Sequence, residues 1–203
     1  MQLSETVNFV DGRISNPHNK TKKNLQADQK HPGYRESTQI LATALQRRRE
    51  VGDFAMPRRF APPLLCKYDK NMEYGVHADQ AYVTVEGGKI RSDVSCTIFL
   101  SDPVSYEGGE LRIQLGSKRM KVKGKPGSCL LYPSTTLHEV RPVTSGQRLV
   151  AITFIESIVP DAFQREMLYE LNEVLALEGE SMKWENRNRL GLVHQNLLRQ
   201  WSS

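Results

Sequence analysis

The first quarter of the chain is polar, apart from a short apolar patch at Val7-Asn8-Phe9-Val10 and one stretch with helical periodicity. Between residues 36 and 50, apolar side chains recur at three- and four-residue spacing, namely Ile40, Leu41, Ala44 and Leu45. Gly52-Asp53 follows and predicts the end of this helix. Residues 16–32 carry Pro, Asn, Lys and His without a period, and we predict a loop there.

The period changes near residue 58. Short apolar runs with strand-like composition follow one another up to about residue 158, and turn signals such as Glu86-Gly87-Gly88-Lys89 and Pro126-Gly127 separate them. The sequence predicts no helix between these runs. Many short strands in succession indicate an antiparallel sandwich or barrel.

Helical spacing returns in the last fifth of the chain. Apolar stripes run through residues 160–177 and 185–201. We therefore predict a mainly β protein with flanking helices. Its predicted segments are residues 1–57 with a strand, a loop and a supporting N-terminal helix, residues 58–158 as the β-strand core, and residues 159–203 as a C-terminal helical extension. That extension packs on the core or forms a homodimer interface, since an apolar stripe suits either use.

Composition narrows the class of protein. The chain has 203 residues, of which 38% are hydrophobic and 25% charged, as in globular proteins. The net charge of +5 lies partly in short basic runs without interleaved aromatics, so we do not expect nucleic-acid binding. Cys66, Cys96 and Cys129 are odd in number and lack paired spacing, which indicates free thiols. Residues 1–5 resemble no signal peptide, and no apolar run has membrane-spanning length, so we expect a cytoplasmic protein.

Candidate chemistry begins at His77-Ala78-Asp79, near the end of a predicted strand. Side chains alternate across a strand, so the histidine and the aspartate are expected on one face. His138 begins a later strand of the same barrel and supplies a candidate third ligand. Two histidines and one carboxylate are typical of non-haem Fe(II) oxygenases. Each motif alone also fits a structural role, such as a His–Asp hydrogen bond.

Arg148 lies ten residues after His138 and precedes an apolar strand. A guanidinium that enters a barrel is costly unless it meets an anion. Its planar fork suits a carboxylate. A surface arginine at a strand edge is the alternative interpretation.

Several stretches, taken in order, carry a family resemblance. They are Phe9-Val10-Asp11-Gly12-Arg13, Tyr74-Gly75-Val76-His77-Ala78-Asp79, Thr97-Ile98-Phe99-Leu100-Ser101-Asp102-Pro103, Tyr106-Glu107-Gly108-Gly109-Glu110-Leu111, Leu131-Tyr132-Pro133-Ser134, Leu137-His138-Glu139-Val140 and the tail from His194 to Trp201. With Arg148, they resemble the PKHD-type hydroxylases, which are Fe(II)/2-oxoglutarate dioxygenases related to the prolyl 4-hydroxylase catalytic domain.

The resemblance implies a double-stranded β-helix (jelly-roll) core. It implies that His77, Asp79 and His138 bind Fe(II), and that Arg148 pairs with the distal carboxylate of 2-oxoglutarate. Tyr68 matches a tyrosine that lies along this co-substrate. O2 is the second co-substrate, ascorbate the expected reductant, and succinate and CO2 the expected products. The hydroxylated C–H bond belongs to an unknown peptide, protein or small molecule, with a prolyl residue as the first candidate.

One position departs from the family pattern. Phe99 stands where some relatives have a second tyrosine that contacts the distal carboxylate, so Tyr68, Thr153 or another group has to replace that contact. Residues 80–93 follow the ligand pair and form either a lid or an exposed hairpin. The rival functions are a non-catalytic β-sandwich with a vestigial metal site and a zinc-dependent cupin-like hydrolase. Arg148 and the complete ligand set argue against both.

Overall fold

Helices flank the strands in the computed structural model, which describes residues 7–16 and 19–203. In the described part of the chain they are α1 (Pro32–Gln46), α2 (Arg49–Ala55), α3 (Ala162–Glu178) and α4 (Trp184–Trp201). Residues 1–6, on which the expected absence of a signal peptide rests, and residues 17–18 of the predicted loop lie outside the described ranges.

The predicted helix over residues 36–50 is wrong in both of its bounds. α1 begins earlier, because the His31 side chain accepts a hydrogen bond from the Gly33 amide and Pro32 occupies the first turn. Gly52 does not end the helical region but lies inside α2. This second helix ends before Met56, which adopts a left-handed conformation with φ 43°.

Short strands make up most of the remaining chain. They are β1 (Phe9–Asp11), β2 (Lys22–Lys23), β3 (Leu25–Ala27), β4 (Pro57–Phe60), β5 (Leu64–Tyr68), β6 (Glu73–His77), β7 (Tyr82–Val85), β8 (Gly88–Arg91), β9 (Val94–Phe99), β10 (Tyr106–Gly108), β11 (Leu111–Leu115), β12 (Lys118–Val122), β13 (Cys129–Pro133), β14 (His138–Val140), β15 (Val143–Gly146) and β16 (Arg148–Ser157). The loop predicted over residues 16–32 is therefore wrong where β2 and β3 form. β2 forms because it pairs with β6, and β3 forms because it pairs with β5. The residues of these two short strands do not predict this pairing by themselves.

Two antiparallel sheets form the core. The major sheet has the order β1-β3-β5-β16-β9-β13, with β4 also paired to β16, and the minor sheet has the order β12-β11-β14-β6-β2. The pairs β10–β15 and β7–β8 complete the described strands. Together with structural neighbours described below, this arrangement confirms the predicted mainly β fold with a jelly-roll core and flanking helices.

The major sheet has an apolar layer on each face. Leu65, Cys96, Ile98 and other side chains pack toward Leu45 and Val51 of the first two helices. On the opposite face, side chains such as Val150 pack against the minor sheet. All six residues of β9 are buried as a result. Each large apolar side chain buried in this way contributes about 1.5–3 kcal/mol.

The C-terminal helices confirm the predicted extension. Leu168 of α3 is fully buried, and the rings of Phe54 and Tyr169 meet edge to face at 5.7 Å. α4 packs on α3 and has no fully buried residue. Crossing a bilayer would need a longer and more apolar helix than any in the described residues. The division of the chain at residues 57 and 158 stays a prediction, and β1–β3 share sheets with strands of the middle segment.

Candidate metal centre

His77, Asp79 and His138 meet between the two sheets. His77 ends β6, His138 begins β14, and the two residues lie directly opposite each other in the minor sheet. The His77 Nε2 and Asp79 Oδ1 atoms are 3.9 Å apart, and the His138 Nε2 and Asp79 Oδ2 atoms are 3.7 Å apart. One ligand atom from each residue lies within 4.8 Å of the other two. Among the described residues this is the one such group of His, Cys, Asp and Glu.

An extra residue in β6 sets the direction of its side chains. Gly75 and Val76 together lie opposite the single residue Glu139, because the register shifts between the two ends of this pairing. The bulge brings Tyr74 to the same face as His77, although three positions separate them in sequence. Their rings stack with centroids 3.6 Å apart. Only glycine suits position 75, since a Cβ atom there would lie 2.7 Å from the Thr21 side chain.

Asp79 reaches the site by a different route from the predicted one. β6 ends at His77, so Asp79 lies two residues beyond the strand and strand alternation does not direct it. Contacts from other elements hold it instead. The Asp79 amide donates to the Ser134 carbonyl at 3.3 Å, and the Ser95 hydroxyl donates to Asp79 Oδ2 at 2.5 Å. His77 and Asp79 face the same site, as predicted, but contacts with other parts of the fold direct Asp79 there, and strand alternation does not.

Both histidines direct the same ring nitrogen toward the aspartate. His77 Nδ1 lies 2.7 Å from the Gly75 carbonyl oxygen, and His138 Nδ1 lies 2.9 Å from that of Thr136. A carbonyl can only accept, so Nδ1 carries the proton and Nε2 has a free lone pair. Burial, followed by the nearby His138, lowers the pKa of His77 to about 4. The His77 imidazole is therefore neutral near pH 7, which is the form that binds metals.

Arg148 lies on the wall of the same cavity. Apolar side chains such as Leu111, Val140 and Val150 line much of this cavity. Arg148 begins β16 and is only 1% exposed. Its Nε and Nη1 atoms have no hydrogen-bond partner among the described residues. A buried cation with unsatisfied donors is costly, so this position favours an anionic ligand.

Tyrosines surround this arginine. Tyr68 lies opposite Arg148 in the sheet, and the guanidinium carbon is 4.9 Å from the centre of its ring. Tyr106 also lies beside Arg148. Burial raises the pKa of Tyr106, and the arginine charge opposes that rise. The sequence reasoning assigned no role to Tyr106, although it begins a Tyr-Glu-Gly-Gly stretch that carried the resemblance.

The other positions considered near Arg148 have separate roles in the structure. Phe99 is buried, and its ring fills the space beside Gly124, where a Cβ atom would lie 2.3 Å from it. The Thr153 hydroxyl donates to the Ala61 carbonyl at 2.5 Å. Thr153 is also five positions from Arg148 on one strand, which places the two side chains on opposite faces. Tyr68 and Tyr106 are therefore the tyrosines that the structure places beside Arg148.

Residues 80–93 form a hairpin of β7 and β8. Its second strand is fastened to the body of the protein, since Ile90 is buried and Arg91 donates to the Asp93 carboxylate at 2.8 Å. Arg91 also donates to the Ser157 carbonyl at 3.0 Å. Movement of this hairpin as a lid stays a prediction.

The family of the chain emerges from comparison with known proteins. Residues 64–156 match the model of the 2OG-Fe(II) oxygenase superfamily, and this range includes all five predicted site residues, Tyr68 among them. Two solved structures share the fold. A prolyl hydroxylase from Trichoplax adhaerens, in complex with a peptide fragment of the hypoxia inducible factor oxygen degradation domain, has a TM-score of 0.54 at 17% identity, covering 77% of this chain and 74% of that one. A Pseudomonas putida prolyl-4-hydroxylase has a TM-score of 0.50 at 16% identity, covering 73% of this chain and 77% of that one. The chain is therefore in the class of proteins that have a 2OG-Fe(II) oxygenase domain.

Sequence relatives narrow this class. A PKHD-type hydroxylase of Sphingopyxis alaskensis is 51% identical over 98% of this chain and 91% of its own length. A PKHD-type hydroxylase of Xanthomonas campestris pv. campestris is 38% identical over 99% of this chain and 92% of its own length. The chain belongs to the PKHD-type hydroxylases.

Proposed function

We propose that His77, Asp79 and His138 hold Fe(II), and that Arg148 binds the distal carboxylate of 2-oxoglutarate. The protein then hydroxylates an unactivated C–H bond and releases succinate and CO2. The observation that carries this proposal is the buried Arg148 guanidinium, whose Nε and Nη1 atoms lack partners among the described residues, in the cavity that also holds the His-Asp-His group. Fe(II) fits this donor set, since two imidazole nitrogens and one carboxylate leave coordination positions open.

Each residue has a defined part in this chemistry. Bound iron, with 2-oxoglutarate and O2, supplies the oxidising power for C–H hydroxylation. His77 and His138 present Nε2 because their Nδ1 protons are held by backbone carbonyls. Asp79 adds a negative charge that partly neutralises the metal. Arg148 orients the co-substrate, and Tyr68 covers the guanidinium with its ring.

The apolar lining of the cavity protects the reaction. Leu111, Val140 and Val150 exclude water from the space between the metal ligands and Arg148. Exclusion of water strengthens the pairing of Arg148 with a carboxylate. It also limits side reactions of the oxidant with solvent.

Succinate formation tests the reaction class. Purified protein is incubated with Fe(II), ascorbate, 2-oxoglutarate and O2, and succinate is measured with and without candidate substrates. We expect iron-dependent succinate that disappears in His77→Ala. Absence of iron-dependent turnover with all substrates would favour the non-catalytic module, and zinc-dependent hydrolysis would favour the cupin-like hydrolase.

A prolyl residue in a peptide is the first substrate to test. The resemblance to prolyl hydroxylases motivates this choice. Peptides with and without proline are incubated with the full reaction mixture, and hydroxylation is read as a mass increase located by fragmentation. Turnover of other C–H bonds without prolyl hydroxylation would overturn the substrate proposal while the reaction class stands.

The remaining expectations are also proposals. Ascorbate keeps the iron reduced, the protein acts in the cytoplasm, and it binds neither membranes nor nucleic acid. A homodimer would cover apolar side chains that α3 and α4 leave exposed, among them Leu177, Trp184 and Leu192. Sedimentation at micromolar concentration measures this assembly directly.

A further inference from the structure

Three buried serines form a chain of hydroxyl groups that ends on Asp79. The Ser92 hydroxyl lies 2.9 Å from that of Ser134, and the Ser134 hydroxyl lies 2.7 Å from that of Ser95. Ser95 in turn reaches Asp79 Oδ2 at 2.5 Å. All three serines are less than 9% exposed. Buried hydroxyl groups need hydrogen-bond partners, and these three serines find them in one another and in Asp79.

The ionised carboxylate fixes the direction of every hydrogen bond in this chain. A carboxylate only accepts, so the single Ser95 proton points to Asp79. Ser95 must then accept from Ser134, which in turn accepts from Ser92. Each bond therefore polarises the next in the same sense. The last bond is charge-assisted, and such bonds are about twice as strong as neutral ones.

The serines hold a segment that has no strand pairing of its own. Asp79 follows the end of β6, and its amide donates to the Ser134 carbonyl at 3.3 Å. The Ser134 amide donates to the Asp93 carbonyl at 3.1 Å, while the Ser92 amide donates to that of Ala81 at 2.8 Å. Both ends of the β7–β8 hairpin are thereby tied to the serine chain. These contacts take the place of a sheet ladder at the position where the carboxylate must be oriented.

The geometry points to Ser95 as a positioning residue for the metal centre, supported by Ser134 and Ser92. Its hydrogen bond to Oδ2 stops rotation of the Asp79 carboxylate and leaves Oδ1 and the remaining lone pairs for the metal. This inference rests on the proposed function. Loss of a group that orients a metal ligand typically weakens metal binding by about 10- to 100-fold.

Metal titration of the whole protein tests the inference without turnover. Co(II) replaces Fe(II), and its visible absorption reports both the affinity and the ligand geometry. We expect Ser95→Ala to bind Co(II) about 10- to 100-fold more weakly, with altered absorption bands. Ser134→Ala keeps the last hydrogen bond but removes its support, so we expect a smaller loss. Ser95→Thr retains the hydroxyl and should restore the wild-type bands.

Ser37→Ala is the matched control. Ser37 is as buried as Ser95, but its hydroxyl donates to the Tyr34 carbonyl within α1, whereas the metal centre lies between the two sheets. Thermal unfolding of the metal-free variants separates a folding defect from a metal-site defect. Wild-type affinity and bands in Ser95→Ala, or an equal loss in Ser37→Ala, would overturn the inference. Co(II) binding that is as tight in His77→Ala as in wild type would instead overturn the proposed function.

Discussion

Replacement of Arg148 by methionine should separate stability from co-substrate binding. The guanidinium is buried, and two of its nitrogen atoms lack partners within the described part of the chain. Each unsatisfied buried nitrogen costs about 1–3 kcal/mol, so the two cost about 2–6 kcal/mol, and the contact with Tyr68 returns about 0.5–2 kcal/mol. Methionine fills similar space without polar atoms. Without 2-oxoglutarate, we therefore expect the free energy of unfolding of Arg148→Met to equal that of wild type or to exceed it by up to about 5 kcal/mol.

The same substitution should abolish the response to 2-oxoglutarate. Hydrogen bonds to charged groups contribute about 1.5–3 kcal/mol each, so a two-point pairing with a carboxylate contributes about 3–6 kcal/mol. Since about 1.4 kcal/mol is tenfold, binding should weaken by about 10²- to 10⁴-fold.

Thermal unfolding with Co(II) and increasing 2-oxoglutarate measures both quantities. Co-substrate at a hundred times its Kd stabilises wild-type protein by about 2.7 kcal/mol, which raises Tm by about 5–11 °C. Arg148→Met should show almost none of this increase. Arg119→Met, at an exposed arginine of β12, is the control and should respond like wild type. The reasoning is refuted if Arg148→Met loses more than about 3 kcal/mol without co-substrate, or if it keeps the wild-type response.

Three further substitutions test other parts of the structure. Asp79→Asn keeps its shape but loses its charge, so we expect Co(II) titration to show more than about 100-fold weaker binding, beyond the effect of a supporting residue. Gly109→Ala places a side chain at φ +63°, with its Cβ 3.2 Å from Arg148 Cδ, so denaturant unfolding should show a loss of about 1–3 kcal/mol and the KM for 2-oxoglutarate should rise. Unchanged unfolding in Gly109→Ala would contradict the tight packing described for Arg148. Leu168→Ala empties a fully buried position on α3 and should cost about 2–5 kcal/mol in the same assay. Leu177→Ala on the same helix, 82% exposed, should stay within about 0.5 kcal/mol, and equal losses in the two variants would refute the described packing of α3.

The sequence predicted best those elements whose stability comes from their own pattern. α3 and α4 follow apolar stripes, and the strands between residues 58 and 158 follow turn signals, so both were foreseen. β2 and β3 were missed because two or three residues carry no measurable period. They form where β6 and β5 offer unpaired edges, which is a property of the whole fold.

The candidate site likewise contains residues that the sequence predicted and residues that only the structure revealed. His77, Asp79, His138 and Arg148 were named from spacing and resemblance, because metal and anion chemistry restricts the residue types that serve. Ser95 and Tyr106 were not assigned roles. Serines and tyrosines occur everywhere, and only the register of β9 and the position of β10 reveal what these two contact. The burial of Arg148 likewise depends on the assembled sheets.

The stretch from Tyr74 to Asp79 is one residue longer than regular pairing with β14 needs. With His77 fixed opposite His138, the loss of one residue at the bulge would leave Tyr74 opposite Val140 and two positions from His77, so the pairing would become regular and the local bend and twist of β6 would change. A change of identity at Val76, which is exposed, leaves that arrangement intact. Substitution at this exposed position and loss of the extra residue are therefore expected to differ, since only the loss changes the bend of β6 that brings His77 to the metal centre.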